Sequence, residues 1–157
     1  MQNLESVLAE VELFRGMKPE HILGISGDAR QVQYNPGDFL GRTGEPADKF
    51  WVVRQGRVAL EIFVPGRGAV TVATMCPGDV VGFSWLLPPY ELRFDVRALT
   101  AVQGLEFDGR SLRDKCGADP RLGYELISRF SRLMAKRVES MSLQLMDVYG
   151  EHATEHD

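Results

Sequence analysis

Pro77-Gly78-Asp79-Val80-Val81-Gly82-Phe83-Ser84-Trp85-Leu86-Leu87, running on to Arg93-Phe94-Asp95-Val96-Arg97-Ala98, decides the fold. A turn signature, Pro-Gly-Asp, is followed by two β-branched residues, a glycine and a cluster of aromatic and aliphatic side chains. The stretch closes on residues that alternate between apolar and charged. That is a short strand, a tight reversal and a second strand, with no room for a long helix between them.

The same punctuation recurs on either side of it. Pro36-Gly37-Asp38, Gly44-Glu45-Pro46, Gln55-Gly56, Pro65-Gly66-Arg67-Gly68 and Gly104 divide residues 30–108 into short segments. Within them Val58, Leu60, Ile62 and Val64 share one face and Arg57 and Glu61 the other, and Val70, Val72 and Thr74 repeat the alternation. Short strands with frequent turns predict a mainly β fold: a double-stranded β-helix, or jelly-roll barrel.

Helices are expected at both ends. Asn3 is a fair N-cap for a helix over 3–14 carrying Leu4, Val7, Leu8, Val11 and Phe14. Pro19-Glu20 opens a second short helix, closed by Gly27. Residues 111–116 form a short helix at most. Asp119-Pro120 then has the cap and first-position proline of a long one. Along it Tyr124, Ser131, Val138 and Leu145 fall seven apart, and Ile127, Met134, Met141 and Val148 follow three residues later. This heptad predicts a coiled-coil seam and a homodimer; the plainer reading is a core helix with no partner. Leu126, Phe130 and Leu133 lie off the seam and would pack onto the barrel. The organisation expected is helices plus barrel over 1–118, a dimerisation helix over 119–150 and a flexible tail over 151–157.

The bulk properties exclude some functions. The net charge of -4 gives no general attraction for nucleic acid or anionic lipid. No apolar run approaches the roughly 20 residues of a membrane span, and the acidic N-terminus is no signal peptide. The two cysteines, Cys76 and Cys116, lack metal-ligand spacing and read as reduced thiols. A cytosolic protein is expected. No nucleophile–base pair or phosphate-binding glycine loop of the P-loop type is visible, so an enzyme is not expected. His152 and His156 could share a helix face, but a solvated terminus is the better reading.

In their order, the motifs resemble the cyclic-nucleotide-binding domain of bacterial catabolite-activator-type regulators and of kinase regulatory subunits. The matching residues are Leu13-Phe14-Arg15-Gly16-Met17, Tyr34-Asn35-Pro36-Gly37-Asp38-Phe39-Leu40, 44–53, Gln55-Gly56-Arg57-Val58, Pro77-Gly78-Asp79-Val80-Val81-Gly82 and Val96-Arg97-Ala98. The resemblance implies a regulatory domain whose ligand is cyclic AMP or cyclic GMP. It implies that backbone N–H groups after Val81 and Gly82 face a cyclic phosphate, that a glutamate after the glycine binds the ribose, and that an arginine near the end of the cassette neutralises the phosphate. It also implies a hydroxyl on the long helix near the purine, where Ser142 stands. The regulators it resembles continue into a DNA-binding domain; only residues 151–157 follow here, so a stand-alone domain acting on a protein partner without direct DNA binding is expected.

The side chains depart from that pattern. Phe83 stands in the place of the glutamate and Leu92 in that of the arginine, with Arg93 one residue late and Phe94 replacing a small residue. If 92–98 is a strand, Leu92, Phe94, Val96 and Ala98 share one face, and Arg93 points outward to pair with Asp95 or Glu91. Alternatively Pro88-Pro89-Tyr90 reshapes the loop and turns Arg93 inward. Ser84 is a hydroxyl near the Gly82 amide or a capping residue. Trp85 is a barrel-lid core residue or a stacking platform. A pocket of Phe83, Leu92 and Phe94 suits an apolar ligand or none, since an uncompensated phosphate there would cost several kcal/mol. The alternative function is an interaction module with a collapsed pocket.

Overall fold

The computed structural model describes residues 3–154, with the side chains of Gln144 and of residues 148–154 outside that description. The expectations for Val148, His152 and His156 fall outside it. The elements are α1 (Leu4–Glu10), a 3₁₀ turn (Glu12–Phe14), α2 (Pro19–Ser26), β1 (Ala29–Tyr34), β2 (Phe39–Gly41), β3 (Lys49–Gln55), β4 (Val58–Val64), β5 (Gly68–Met75), β6 (Val80–Val81), a second 3₁₀ turn (Ser84–Leu86), β7 (Asp95–Ala98), β8 (Val102–Asp108), α3 (Gly109–Ala118) and α4 (Pro120–Thr154).

The strands form two antiparallel sheets, β1-β8-β3-β6 and β2-β7-β4-β5. Between them lies one core, with Trp51, Val53 and Val81 from the first sheet facing Val58, Leu60 and Val96 from the second. The other face of the first sheet presents Phe50, Val52, Leu105 and Phe107 to the helices, where Leu8, Phe14, Leu112, Leu126 and Phe130 complete a second core. The chain is therefore a β-roll with helices on one side, as the turn spacing predicts.

Several elements differ from expectation for local reasons. The first helix stops at Glu10 and re-forms as the turn Glu12–Phe14, because Val11 is extended (φ -69°, ψ 131°). Its N-cap is Asn3, whose Oδ1 accepts from the Ser6 N–H at 2.8 Å. α3 is longer than the sequence suggests, since Asp108 caps it by accepting from the Ser111 N–H at 3.0 Å. In β5 a bulge shifts the register between Leu60↔Ala73 and Glu61↔Thr71. Val72 is consequently 43% exposed, while Ala73 and Met75 pack on the inner core. The uniform alternation read over Val70, Val72 and Thr74 breaks there, as an extra residue flips parity.

Gly56 turns between β3 and β4 at φ +88°, and a Cβ there would lie 2.2 Å from the Ala101 carbonyl oxygen. No other residue fits that site.

α4 is fixed to the body by its first half. Leu126 and Phe130 are fully buried. Glu125 meets His21, and Arg129 donates to the carbonyls of Leu13 and Arg15, both at 2.9 Å.

Two carboxylates are buried among the described residues: Glu61, held by Arg97, and Glu106. Glu106 is 4% exposed and accepts from Arg30 (2.9 Å) and Tyr34 (3.3 Å), with Lys49 Nζ at 3.0 Å. Burial by itself would push its pKa up, but Lys49 and Arg30 outweigh that and hold it below the usual carboxylate value. A depressed carboxylate stabilises the fold above its unfolded-state pKa and loses that contribution as the pH falls through the folded-state value. Glu106→Gln is expected to cost about 1–2 kcal/mol at pH 7, a modest figure because both cations are half-exposed. In urea unfolding, the gap between wild type and variant should be full above about pH 5 and close below the usual glutamate range. A gap independent of pH would show that the ion pairs are not its source.

Candidate ligand-binding site

Val80 and Val81 pair with Val52 and Trp51 of β3, which brings the following residues to the edge of the first sheet. Gly82 then reverses the chain at φ +99°, with the Lys49 carbonyl and Phe50 packed closely enough that a Cβ would touch both at 3.4–3.5 Å. After this reversal the side chains diverge. Trp85 turns into the helical core, fully buried and stacked on Phe50 at 4.9 Å. Phe83 turns toward α4, its ring edge-on to Phe130 at 5.6 Å.

The opposite wall comes from residues 87–96. The Pro88–Pro89 bond is cis and Tyr90 adopts φ 57°. Three backbone hydrogen bonds tie the loop to residues 44–47: Tyr90 O accepts from the Ala47 N–H (2.7 Å), Leu92 N–H donates to Glu45 O (2.9 Å) and Leu92 O accepts from the Gly44 N–H (2.8 Å). β7 begins only at Asp95, so residues 92–94 are not strand and simple alternation does not apply to them. Leu92 is buried, Phe94 is 38% exposed, and Arg93, also exposed, borders the same cavity as both. The outward pairing expected for Arg93 is not formed. Asp95 instead accepts from the Thr43 N–H at 2.8 Å and lies 3.9 Å from Arg42. Arg97, on the outer face of β7, is taken by Glu61 in a two-pronged contact of 2.5 and 3.0 Å.

The cavity between these walls and α4 has a volume of about 470 Å³. That lies within the roughly 300–1,000 Å³ typical of small-molecule sites. Of the residues singled out from sequence, Gly82, Phe83, Ser84, Leu92, Arg93 and Phe94 are brought together in its lining. Val81 and Trp85 sit in the two cores. Ser142 is exposed on α4, its hydroxyl donating to the Val138 carbonyl at 2.9 Å.

Arg137 of α4 also lines the cavity, and the sequence reading missed it. Its guanidinium lies 4.6 Å from the centre of the Phe83 ring and donates to the Val80 carbonyl at 2.9 Å. Burial lowers its pKa from the ordinary arginine value, opposed only in part by Asp79. The clue lay in the spacing Leu126, Phe130, Leu133, Arg137. Steps of four, three and four continue the barrel-facing stripe of α4 onto the arginine.

Arg113 of α3 holds the site from behind. It donates to the carbonyls of Ala47 (3.1 Å) and Trp85 (2.7 Å) and to Asp48 (3.2 Å), and its guanidinium lies 4.2 Å from the centre of the Tyr90 ring. It thus joins both cavity walls. Arg113→Met keeps the length of the side chain but removes every donor, and should cost about 2–4 kcal/mol in chemical denaturation. A cost below about 0.5 kcal/mol, the level of an ordinary surface change, would refute that role.

Among the described residues no group of three or more His, Cys, Asp or Glu is placed to hold a metal. Cys76 and Cys116 are unbridged, and burial raises the Cys116 thiol above its ordinary value.

The site is thus a ligand-sized cavity on a β-roll, lined in part by the long helix α4. The chain belongs to the cyclic nucleotide-binding domain family, whose profile matches residues 31–119, more than half of its length. It is similar to the CRP-like cAMP-activated global transcriptional regulator of Mycobacterium tuberculosis, 22% identical over 145 residues, covering 92% of this chain and 63% of that protein. It is also similar to the HTH-type transcriptional regulator Cmr of the same organism, 29% identical over 138 residues, covering 86% of this chain and 54% of that one. The chain thus spans less than two thirds of the length of these relatives. Its fold matches the crystal structure of a cyclic nucleotide-binding protein of Geobacter metallireducens with a TM-score of 0.77, at 22% identity, over 88% of this chain and 99% of the other.

Proposed function

We propose that this chain is a regulatory, non-catalytic sensor domain. Occupancy of the cavity is transmitted to α4, and through α4 to a second copy of the chain and a protein partner. The observation that carries this reading is Arg137. One side chain of the output helix both lines the cavity and grips β6 and Phe83, so a ligand that fills the cavity contacts the helix. An equilibrium shifts only by a ligand's differential contacts with two states, and Arg137 is where such a difference arises.

The surface of α4 supports the dimer. Tyr124, Ile127, Val138, Met141 and Leu145 are 77, 54, 62, 56 and 58% exposed, an apolar series at heptad spacing that the barrel leaves uncovered, interrupted by the exposed Ser131 and the half-buried Met134. Sedimentation at micromolar concentration tests it: a dimer is expected, and a monomer removes this half of the reading.

The cassette is a degenerate one. Phe83 and Leu92 stand where the ribose carboxylate and phosphate arginine are implied, so cyclic AMP and cyclic GMP should bind weakly or not at all. Heat on titration with either at micromolar concentration would reverse that. The open cavity with Arg93 in its wall favours a sensor over a module with a collapsed pocket. No helix among the described residues is long and apolar enough to cross a membrane. Two unbridged thiols suit the reducing cytosol, where we place the protein.

A further inference from the structure

The charges and apolar surfaces of the cavity are mismatched to a cyclic nucleotide in a specific direction. Arg137 uses only Nη2, on the Val80 carbonyl and on Met75 Sδ at 3.5 Å, and neither acceptor is charged. Its Nε and Nη1 protons have no acceptor among the described residues, although a guanidinium carries five such protons. Arg93, which is exposed at the cavity wall, has no hydrogen bond or ion pair among the described residues either. Glu91 is the one carboxylate in the lining among the described residues, and it is exposed. Asp79 offsets the burial of the half-buried Arg137 guanidinium only in part, and an entering anion would relieve the rest. Apart from the Ser84 hydroxyl, the remaining side chains of the wall are apolar, Leu60, Phe83, Leu92 and Val96 among them. Ribose hydroxyls set against Phe83 would be desolvated without a partner.

We propose that the cavity takes an amphipathic organic anion, with a single carboxylate or phosphate head between Arg93 and Arg137 and an aryl or short acyl body against Phe83, Leu60, Leu92 and Val96. This rests on the sensor reading and names its ligand class. Planar guanidinium groups bind such heads through paired, charge-assisted hydrogen bonds. The Phe83 ring already stacked by Arg137 keeps the head group and the apolar body adjacent.

Isothermal calorimetry on the full chain tests it with 2-naphthylacetate, 1-naphthyl phosphate, the uncharged 2-naphthylacetamide, cyclic AMP and cyclic GMP. At least one naphthyl anion should bind about tenfold or more tightly than the amide, the value of one charge-assisted contact. The tighter of the two naphthyl anions identifies the head group. Arg93→Gln should weaken that anion about tenfold and leave the amide unchanged, with thermal stability kept because Arg93 supports no other residue. Arg137→Met should weaken it similarly, but Arg137 also holds α4, so Arg93→Gln decides the matter if that variant is unstable. Equal binding of anions and amide, or an Arg93→Gln affinity equal to wild type, overturns the proposal. Tighter binding of a cyclic nucleotide overturns the ligand class and leaves the sensor reading standing. No heat with any of the five overturns both and returns the interaction module.

Discussion

Truncating Phe130 to alanine is expected to lower stability by about 3–5 kcal/mol, the usual cost of deleting a fully buried aromatic ring. At fixed protein concentration the melting temperature should fall by roughly 10 °C for a chain of this size. Phe130 has no exposed surface. Its ring meets Phe50 at 5.2 Å, Phe83 at 5.6 Å and Trp85 at 5.4 Å, each at a steep angle. Such edge-to-face pairs are worth about 0.5–1.5 kcal/mol beyond area burial. These three partners lie on β3, on the cavity wall and on the 3₁₀ turn, so one residue of α4 secures the helix to the whole binding segment. Ligand affinity should fall with stability, because Phe83 loses the ring that orients it. Phe130→Leu, which refills much of the volume, should recover about half of the loss. A loss under about 1 kcal/mol for the alanine variant would mean that α4 is not docked where the structure has it.

The parts of this fold that the sequence displays are those set by local chemistry. Asn3, Pro19, Asp119 and Pro120 mark helix starts through capping and proline geometry, and the Pro-Gly turns mark strand ends. Two strand features were not legible, for one reason. Alternation is a rule for unbroken strands, and neither the bulge beside Val72 nor the late start of β7 at Asp95 leaves a mark in composition. The direction of Arg93 depends on the second of these. Had β7 begun at Leu92, parity would have turned Arg93 out beside Asp95. Instead the loop held by Ala47, Glu45 and Gly44 places residues 92–94 together on the cavity wall. Arg137 was illegible for a different reason. Which face of a long helix meets the barrel is set by tertiary docking, and a charged residue is assigned to solvent by default. Its place in the Leu126-Phe130-Leu133 series was visible, but a cation in an apolar stripe becomes meaningful only with Phe83 and the Val80 carbonyl beside it. The cavity thus owes its positive charge to two arginines, and neither stands at the position implied by the family pattern.

If the seam is the interface, the double substitution Val138→Glu with Met141→Glu converts the dimer to a monomer without unfolding it. Both side chains are more than half exposed and support nothing in the body of the protomer, so the melting transition of the roll should be preserved. In a parallel pair the two positions face their counterparts across the seam, and four carboxylates would replace four apolar side chains there. Burying one such apolar side chain is worth about 1.5–3 kcal/mol, so losing these contacts should raise the dissociation constant at least about a hundredfold. Sedimentation at 10–100 µM should read that as a halving of mass, within an order-of-magnitude range set by the affinity arithmetic. Leu143 is 63% exposed but lies off the seam, on the outer face by the heptad register. Leu143→Glu is therefore the matched control and should remain dimeric. A double variant that keeps its mass places the interface elsewhere, and a control that loses it places the interface on the opposite face of α4. With the monomeric variant in hand the coupling itself becomes measurable: an anion bound at Arg93 and Arg137 should shift the dimer equilibrium of the wild type, and by linkage dimerisation should shift the anion's affinity by the same factor.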